Sequence, residues 1–169
     1  MIVRESLRGV NRVVLRHPAP AAELTVSAEI LPLCAAGASV GSERAGDGLG
    51  LDGVYITAAG RCAPPGNKPT PEELAHCRPF LTREMSALRS VRVRLALGKV
   101  GHDAFLAARR AAGRPDLKPK PAFRHGGFVA LPEGGWLLDS YHPSQQNTST
   151  GVLTPAMWRA VFETAKGLR

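Results

Sequence analysis

Two short stretches of this sequence concentrate the residue types that do chemistry. Residues 61–69 (RCAPPGNKP) bring together a cysteine, two basic side chains and an asparagine. Residues 141–147 (YHPSQQN) bring together a histidine, a serine, two glutamines and an asparagine. Histidine can donate a hydrogen bond to developing negative charge, and Gln and Asn amides match base edges or phosphates. Pro143 stiffens the chain beside His142 and would present that imidazole in a fixed orientation. The plain alternative is a solvated polar loop. Cys62 and Cys77 are separated by fourteen residues, a weak metal signal whose alternative is a pair of inert buried thiols.

Both stretches follow runs that read as strands, and in open α/β sheets ligands bind outside the carboxyl ends of the strands. Residues 54–57 (VYIT) are β-branched and aromatic, the composition of a buried strand. Thr70 caps the next helix, with Pro71 at its first position and Glu73 closing a capping box. Leu74, Cys77, Leu81, Met85 and Leu88 recur at helical spacing, and Pro79 is expected to interrupt or kink that helix or to begin its second half. Residues 91–97 (VRVRLAL) alternate as a second strand, Gly98 and Gly101 bracket a turn, and 102–112 form a helix. Residues 114–123 (RPDLKPKPAF) are a basic, proline-punctuated loop, followed by short strands at 128–131 and 136–139 around a Pro-Glu-Gly-Gly turn. Residues 140–151 read as a polar loop, and Thr154 with Pro155 starts a final helix that buries Met157, Val161 and Leu168. Before residue 44 the periodicity is poor: residues 13–15 fit a short strand and 24–33 a strand or a helix. Alternating strands and helices predict an α/β layered domain with a mainly parallel sheet.

The bulk composition narrows the partners. The chain has 169 residues and a net charge of +8, which favours polyanions, nucleic acid above all; a merely soluble basic surface is the alternative. No apolar run approaches the roughly 20 residues of a membrane helix, so no membrane partner is expected. The first residues lack the apolar core of a secretion signal, which makes a cytoplasmic location the default. Three cysteines, an odd number, argue against a disulfide framework. Aromatic content of 5% is too low for repeated base-stacking platforms. Trp136 and Trp158 read as core anchors and His125 as a turn histidine satisfying backbone groups; His17 and His102 have no special context.

Residues 55–81 (YITAAGRCAPPGNKPTPEELAHCRPFL) are similar to the second signature of type-5 (class B) uracil-DNA glycosylases. Residues 140–157 (SYHPSQQNTSTGVLTPAM) resemble their C-terminal signature almost residue for residue, and RLALG (94–98) and KPAFRHG (120–126) fit between the two. The resemblance runs from about residue 46 to the end, and divides the chain into an atypical segment, 1–45, and a uracil-DNA glycosylase-like domain, 46–169. It implies a three-layer α/β/α monomer that flips uracil or another deaminated base out of DNA and hydrolyses its N-glycosidic bond. Carried over by position, His142 is the catalytic residue, stabilising the leaving base through its carbonyl oxygen. Pro143 and Ser144 would hold the loop and contact a phosphate, while Gln145, Gln146 and Asn147 would line the DNA-facing loop. Asn67 would sit near the pocket, with Arg61 and Lys68 on the DNA-binding surface. Ala58 stands where type-4 enzymes carry a uracil-reading asparagine, and the family links that alanine to wider base tolerance. Cys62 and Cys77 match the last two of four thiolates that hold a [4Fe–4S] cluster.

The departures lie mostly before residue 46. The family's first two cluster cysteines, its GLAPG-like turn and its TGD segment, whose aspartate helps the hydrolytic water, have no counterpart; only residues 9–12 (GVNR) resemble the stretch preceding TGD. Within the matching region Gly60 replaces an apolar β-branched residue and Val152 an arginine, while Cys34 matches no family position. The cluster is therefore expected to be incomplete or labile. Besides an active glycosylase, the alternative is a truncated or frameshifted, catalytically impaired remnant that still binds DNA through His142, Lys68, Arg61 and the loop at Lys118 and Lys120. A small metal-binding domain built on Cys62, His76 and Cys77 is disfavoured, because adjacent helical residues point to different faces.

Overall fold

The alternating and β-branched runs form strands, joined by a short one that the pattern does not announce. The computed structural model describes residues 2–5, 54–61 and 68–168. The expectations for residues 9–17, 24–33, Cys34, Cys62 and Asn67 lie outside the described residues. The strands are β1 (Ile2–Glu5), β2 (Val54–Ile56), β3 (Val91–Leu97), β4 (Phe128–Ala130) and β5 (Trp136–Ser140), in the order β2-β1-β3-β5-β4. β3 and β5 pair in parallel, while β1 pairs antiparallel with β2 and β3, and β4 antiparallel with β5. β2, β3 and β5 thus share one direction, as a mainly parallel sheet requires, but β1 and β4 oppose them and the sheet is mixed. A tight turn closes β4 onto β5 as a hairpin, while the four-residue β1, too short to show a period, pairs between the distant strands β2 and β3.

Four helices complete the described domain: α1 (Pro71–Ala87), α2 (Gly98–Ala111), α3 (Gln145–Ser149) and α4 (Pro155–Gly167). The capping box of α1 forms as read: Thr70 Oγ1 accepts from Glu73 N–H and Glu73 accepts from Thr70 N–H. Pro79 does not interrupt α1. The one hydrogen bond it removes would end on the carbonyl of Ala75, an exposed residue that water can reach, while Leu81 and Met85 beyond it pack inward. Nor do Gly98 and Gly101 bracket a turn; α2 begins at Gly98, whose φ of +74° reverses the chain within one residue. The polar stretch at 140–151 contains α3, capped by Ser144.

Pleating divides the core into two layers. Val93, Leu95 and Leu138 face α4, where they pack with Leu153, Trp158, Val161, Phe162 and Ala165. Trp158 and Phe162 meet edge to face, ring centroids 4.9 Å apart. On the other face Ala96 and Leu137 pack with Phe105 of α2 and Leu131, and α1 lies against α2. Helices on both faces of the sheet give the expected three-layer α/β/α arrangement. Each fully buried Leu, Val or Phe here contributes roughly 1.5–3 kcal/mol, and β3 and β5 both supply residues to the two layers.

Candidate active site

Because β2, β3 and β5 run the same way, their carboxyl ends share one edge of the sheet, with Leu97 and Ser140 in register. The loop after β2 and the YHPSQQN stretch after β5 therefore leave the sheet on the same side. The approach of the second stretch to β3 is close: a Cβ on Gly98 would lie 3.3 Å from the Cβ of His142. Glycine at 98 permits both the positive φ and this contact.

The loop carrying His142 is braced from within. Ser144 Oγ accepts from Asn147 N–H and caps α3, and Asn147 Nδ2 donates to the carbonyl of His142 at 2.8 Å. Asn147 O in turn accepts from Leu153 N–H, tying the loop to the residue that enters the core. The His142 ring is exposed, and its nitrogens have no hydrogen-bond partner among the described residues. Desolvation by its neighbours nonetheless holds its pKa below the ordinary histidine value, which favours the neutral imidazole. Pro143, Ser144, Gln145, Gln146 and Asn147 are brought together with it, and the exposed amides of Gln145 and Gln146 have no partner among the described residues.

At the exit of β2 the picture is different. Arg61 forms an ion pair with Glu84 of α1 and lies over the ring of Phe80, 4.8 Å from its centroid. Thr57 donates to the same carboxylate. Burial, then the charge and hydrogen bond of Glu84, push the Tyr55 phenol up to about 12. The guanidinium assigned to DNA is thus engaged within the protein, while Lys68 is exposed. Cys77 is half-buried, and its Sγ accepts from the backbone N–H of Arg61 at 3.4 Å, which turns the thiol towards the residue that precedes Cys62 in sequence. His76 is exposed. The described residues contain no group of three or more His, Cys, Asp or Glu side chains that could hold a metal, and so do not by themselves fit a four-thiolate cluster.

Sequence reasoning missed the support beneath the His142 loop. His102 and Asp139 are buried, with Nδ1 2.9 Å from Asp139 Oδ1 and Nε2 3.2 Å from the carbonyl of Pro121. Burial raises the Asp139 pKa against the opposing pull of His102. Arg124 N–H reaches the other carboxylate oxygen, so this pair fixes residues 121–124 beside β5. His125 follows, and its Nδ1 accepts from Tyr141 N–H, as the backbone-satisfying role required. RHG marks His125 in the sequence; nothing marks His102, whose partner is 37 residues away. A cavity of about 320 Å³ is bordered by Arg124, Phe128 and Asp139, and no described residue of either loop is among its lining.

The fold is a three-layer α/β/α domain with an exposed histidine loop at the carboxyl edge of its sheet. The chain belongs to the uracil DNA glycosylase superfamily, whose family model matches residues 26–166. It is 50% identical over 125 residues to the type-5 uracil-DNA glycosylase of Thermus thermophilus, covering 73% of this chain and 54% of the relative. It is also 45% identical over 128 residues to the type-5 uracil-DNA glycosylases of Mycobacterium tuberculosis and Mycobacterium leprae, covering 75% of this chain and 46% and 54% of those relatives. The chain spans about half the length of the curated relatives it matches.

Proposed function

We propose that this protein excises uracil, and other deaminated bases, from DNA by hydrolysis of the N-glycosidic bond. The observation that carries the reading is His142 itself: exposed, its ring nitrogens unpartnered among the described residues, and its backbone carbonyl held by Asn147 at the sheet edge. When the bond between the sugar and the base breaks, its electron pair leaves with the pyrimidine, and positive charge develops on the sugar. A ring N–H of His142 donates to the carbonyl oxygen of the departing base, where that charge gathers. Water completes the hydrolysis at the sugar carbon. Gln145 and Gln146 face the DNA, with Ser144 near a phosphate, Asn67 near the pocket and Ala58 leaving room for bases other than uracil. Lys68, Lys118 and Lys120 attract the backbone, and Arg61 contributes only as far as Glu84 releases its charge.

The reading includes a monomer acting in the cytoplasm on uracil-containing duplexes. No helix among the described residues is long and apolar enough to cross a membrane. Cys62 and Cys77 would supply two thiolates to a [4Fe–4S] cluster that takes four, so we propose an incomplete or labile cluster and derive no step through it. The test is single-turnover release of uracil from a labelled duplex by the protein and by His142→Ala. Release that falls by two or more orders of magnitude in the variant, with duplex binding retained, supports the reading. Binding without release by the unaltered protein overturns it in favour of an impaired remnant.

A further inference from the structure

Tyr141 N–H is the first amide beyond the last paired residue of β5, at the point where the chain turns out towards His142. Its partner comes from another segment. The Nδ1 of His125 accepts this N–H at 3.1 Å, and the two rings stack with centroids 4.8 Å apart and planes within 16°. The hydroxyl of Ser140, which donates to the Tyr141 carbonyl, lies 3.5 Å from the same nitrogen.

His125 is itself fixed on both sides. Gly126 N–H donates to Asp139 O, and Asp139 N–H donates to Gly127 O, which lays this segment along β5. Before it, Arg124 N–H and Pro121 O are held by the buried Asp139 and His102. A nitrogen that accepts a backbone N–H must be unprotonated, so the His125 proton sits on Nε2. Burial lowers its pKa and keeps it in that form.

We infer that His125 is a positioning residue for His142, fixing through Tyr141 the direction in which the HPSQQN loop leaves the sheet. The inference rests on the proposed glycosylase reading for its kinetic consequence, though not for its geometry. A hydrogen bond and a stacked ring on the preceding residue set the starting direction of the loop, and a displacement approaching 1 Å at the reacting group costs about a hundredfold in rate.

The test uses the full chain with His125→Ala and His125→Asn, since the Asn side-chain oxygen can stand where Nδ1 stands. In single-turnover release, His125→Ala should slow the chemical step by about ten- to a hundredfold, leave duplex affinity within about twofold, and be largely rescued by Asn. Long-range 1H–15N spectra should show His125 with its proton on Nε2. An unchanged release rate in the Ala variant, a parallel loss of rate and affinity, or an Asn variant no better than Ala would overturn the inference. If the unaltered protein releases no uracil, the glycosylase reading fails separately. The positioning claim is then decided by the spectra: a proton on Nδ1 of His125, or His142 resonances unmoved by His125→Ala, would sink it.

Discussion

Replacing Gly98 and Gly101 by alanine should have opposite effects, although only two residues lie between them in one helix. At Gly98 the backbone has φ of +74°, where an L-side chain costs roughly 1–2 kcal/mol. The new methyl would also sit 3.3 Å from the His142 Cβ, a few tenths of an ångström inside the 3.5–4.0 Å optimum for carbon contacts. Gly101 lies within α2, and its added Cβ would be 3.7 Å from the nearest atom of Ala96, an ordinary contact. There alanine should stabilise by about 0.5–1 kcal/mol, through the helix propensity that glycine forfeits. For a domain of this size each kcal/mol moves Tm by roughly 2–4 °C. Thermal unfolding should therefore show Gly98→Ala about 2–8 °C lower and Gly101→Ala about 1–4 °C higher than the parent. Because the clash at 98 falls on His142, uracil release by Gly98→Ala should slow by about tenfold, while Gly101→Ala releases at the parental rate. Equal stability of the two variants would refute the backbone argument. A destabilised Gly98→Ala protein with an unchanged release rate would show that this contact does not set the histidine.

The bidentate pair of Arg109 and Glu133, with side chains 3% and 12% exposed, joins α2 to the β4–β5 turn. Removing one partner as Glu133→Leu should cost up to about 3–5 kcal/mol in urea unfolding; the double change with Arg109→Met should recover part of it, and simple additivity would count against the pair. Burial pushes the Glu133 carboxyl up, but its hydrogen bonds and the Arg109 charge outweigh this and leave its pKa lowered. Its contribution is thus complete above the unfolded glutamate value and lost as pH falls through the lower folded one. Acid unfolding of Glu133→Gln should lack that component, and an identical pH profile would refute it. Desolvation lowers the pKa of His125 and His142, so the stability linked to them is present above about pH 6.5 and declines as pH falls through the folded values. His125→Asn should flatten part of this decline between pH 7 and 5, and an unaltered slope would contradict the assignment. Lys118 and Lys120 are exposed on the basic loop. If each neutralises one phosphate, replacing both by alanine should reduce the salt slope of duplex binding by about 1.8; an unchanged slope would place the DNA elsewhere.

Features that depend on neighbours along the chain could be read directly from the residues. The capping box at Thr70, the helix beginning at Pro155, the alternation of β3 and the Pro-Glu-Gly-Gly hairpin are local preferences, and each forms where it was read. The polar YHPSQQN stretch was legible for the same reason: its residues are consecutive, and the hydrogen bond from Asn147 to the His142 carbonyl spans only five. Local rules failed where packing overrides them, as at Pro79, or where one backbone angle replaces a turn, as at Gly98. Other features needed the tertiary structure, because they pair groups that no spacing relates. Arg61 meets Glu84 across 23 residues, His102 meets Asp139 across 37, and His125 reaches Tyr141 across 16. These long-range contacts give Arg61 an ion-pair partner in Glu84 and make His102, a histidine without context in the sequence, a buried anchor. The ends of β2 and β5 share one edge because β2, β3 and β5 run in the same direction, a fact of hydrogen-bonded pairing between strands that side-chain alternation within each strand does not encode.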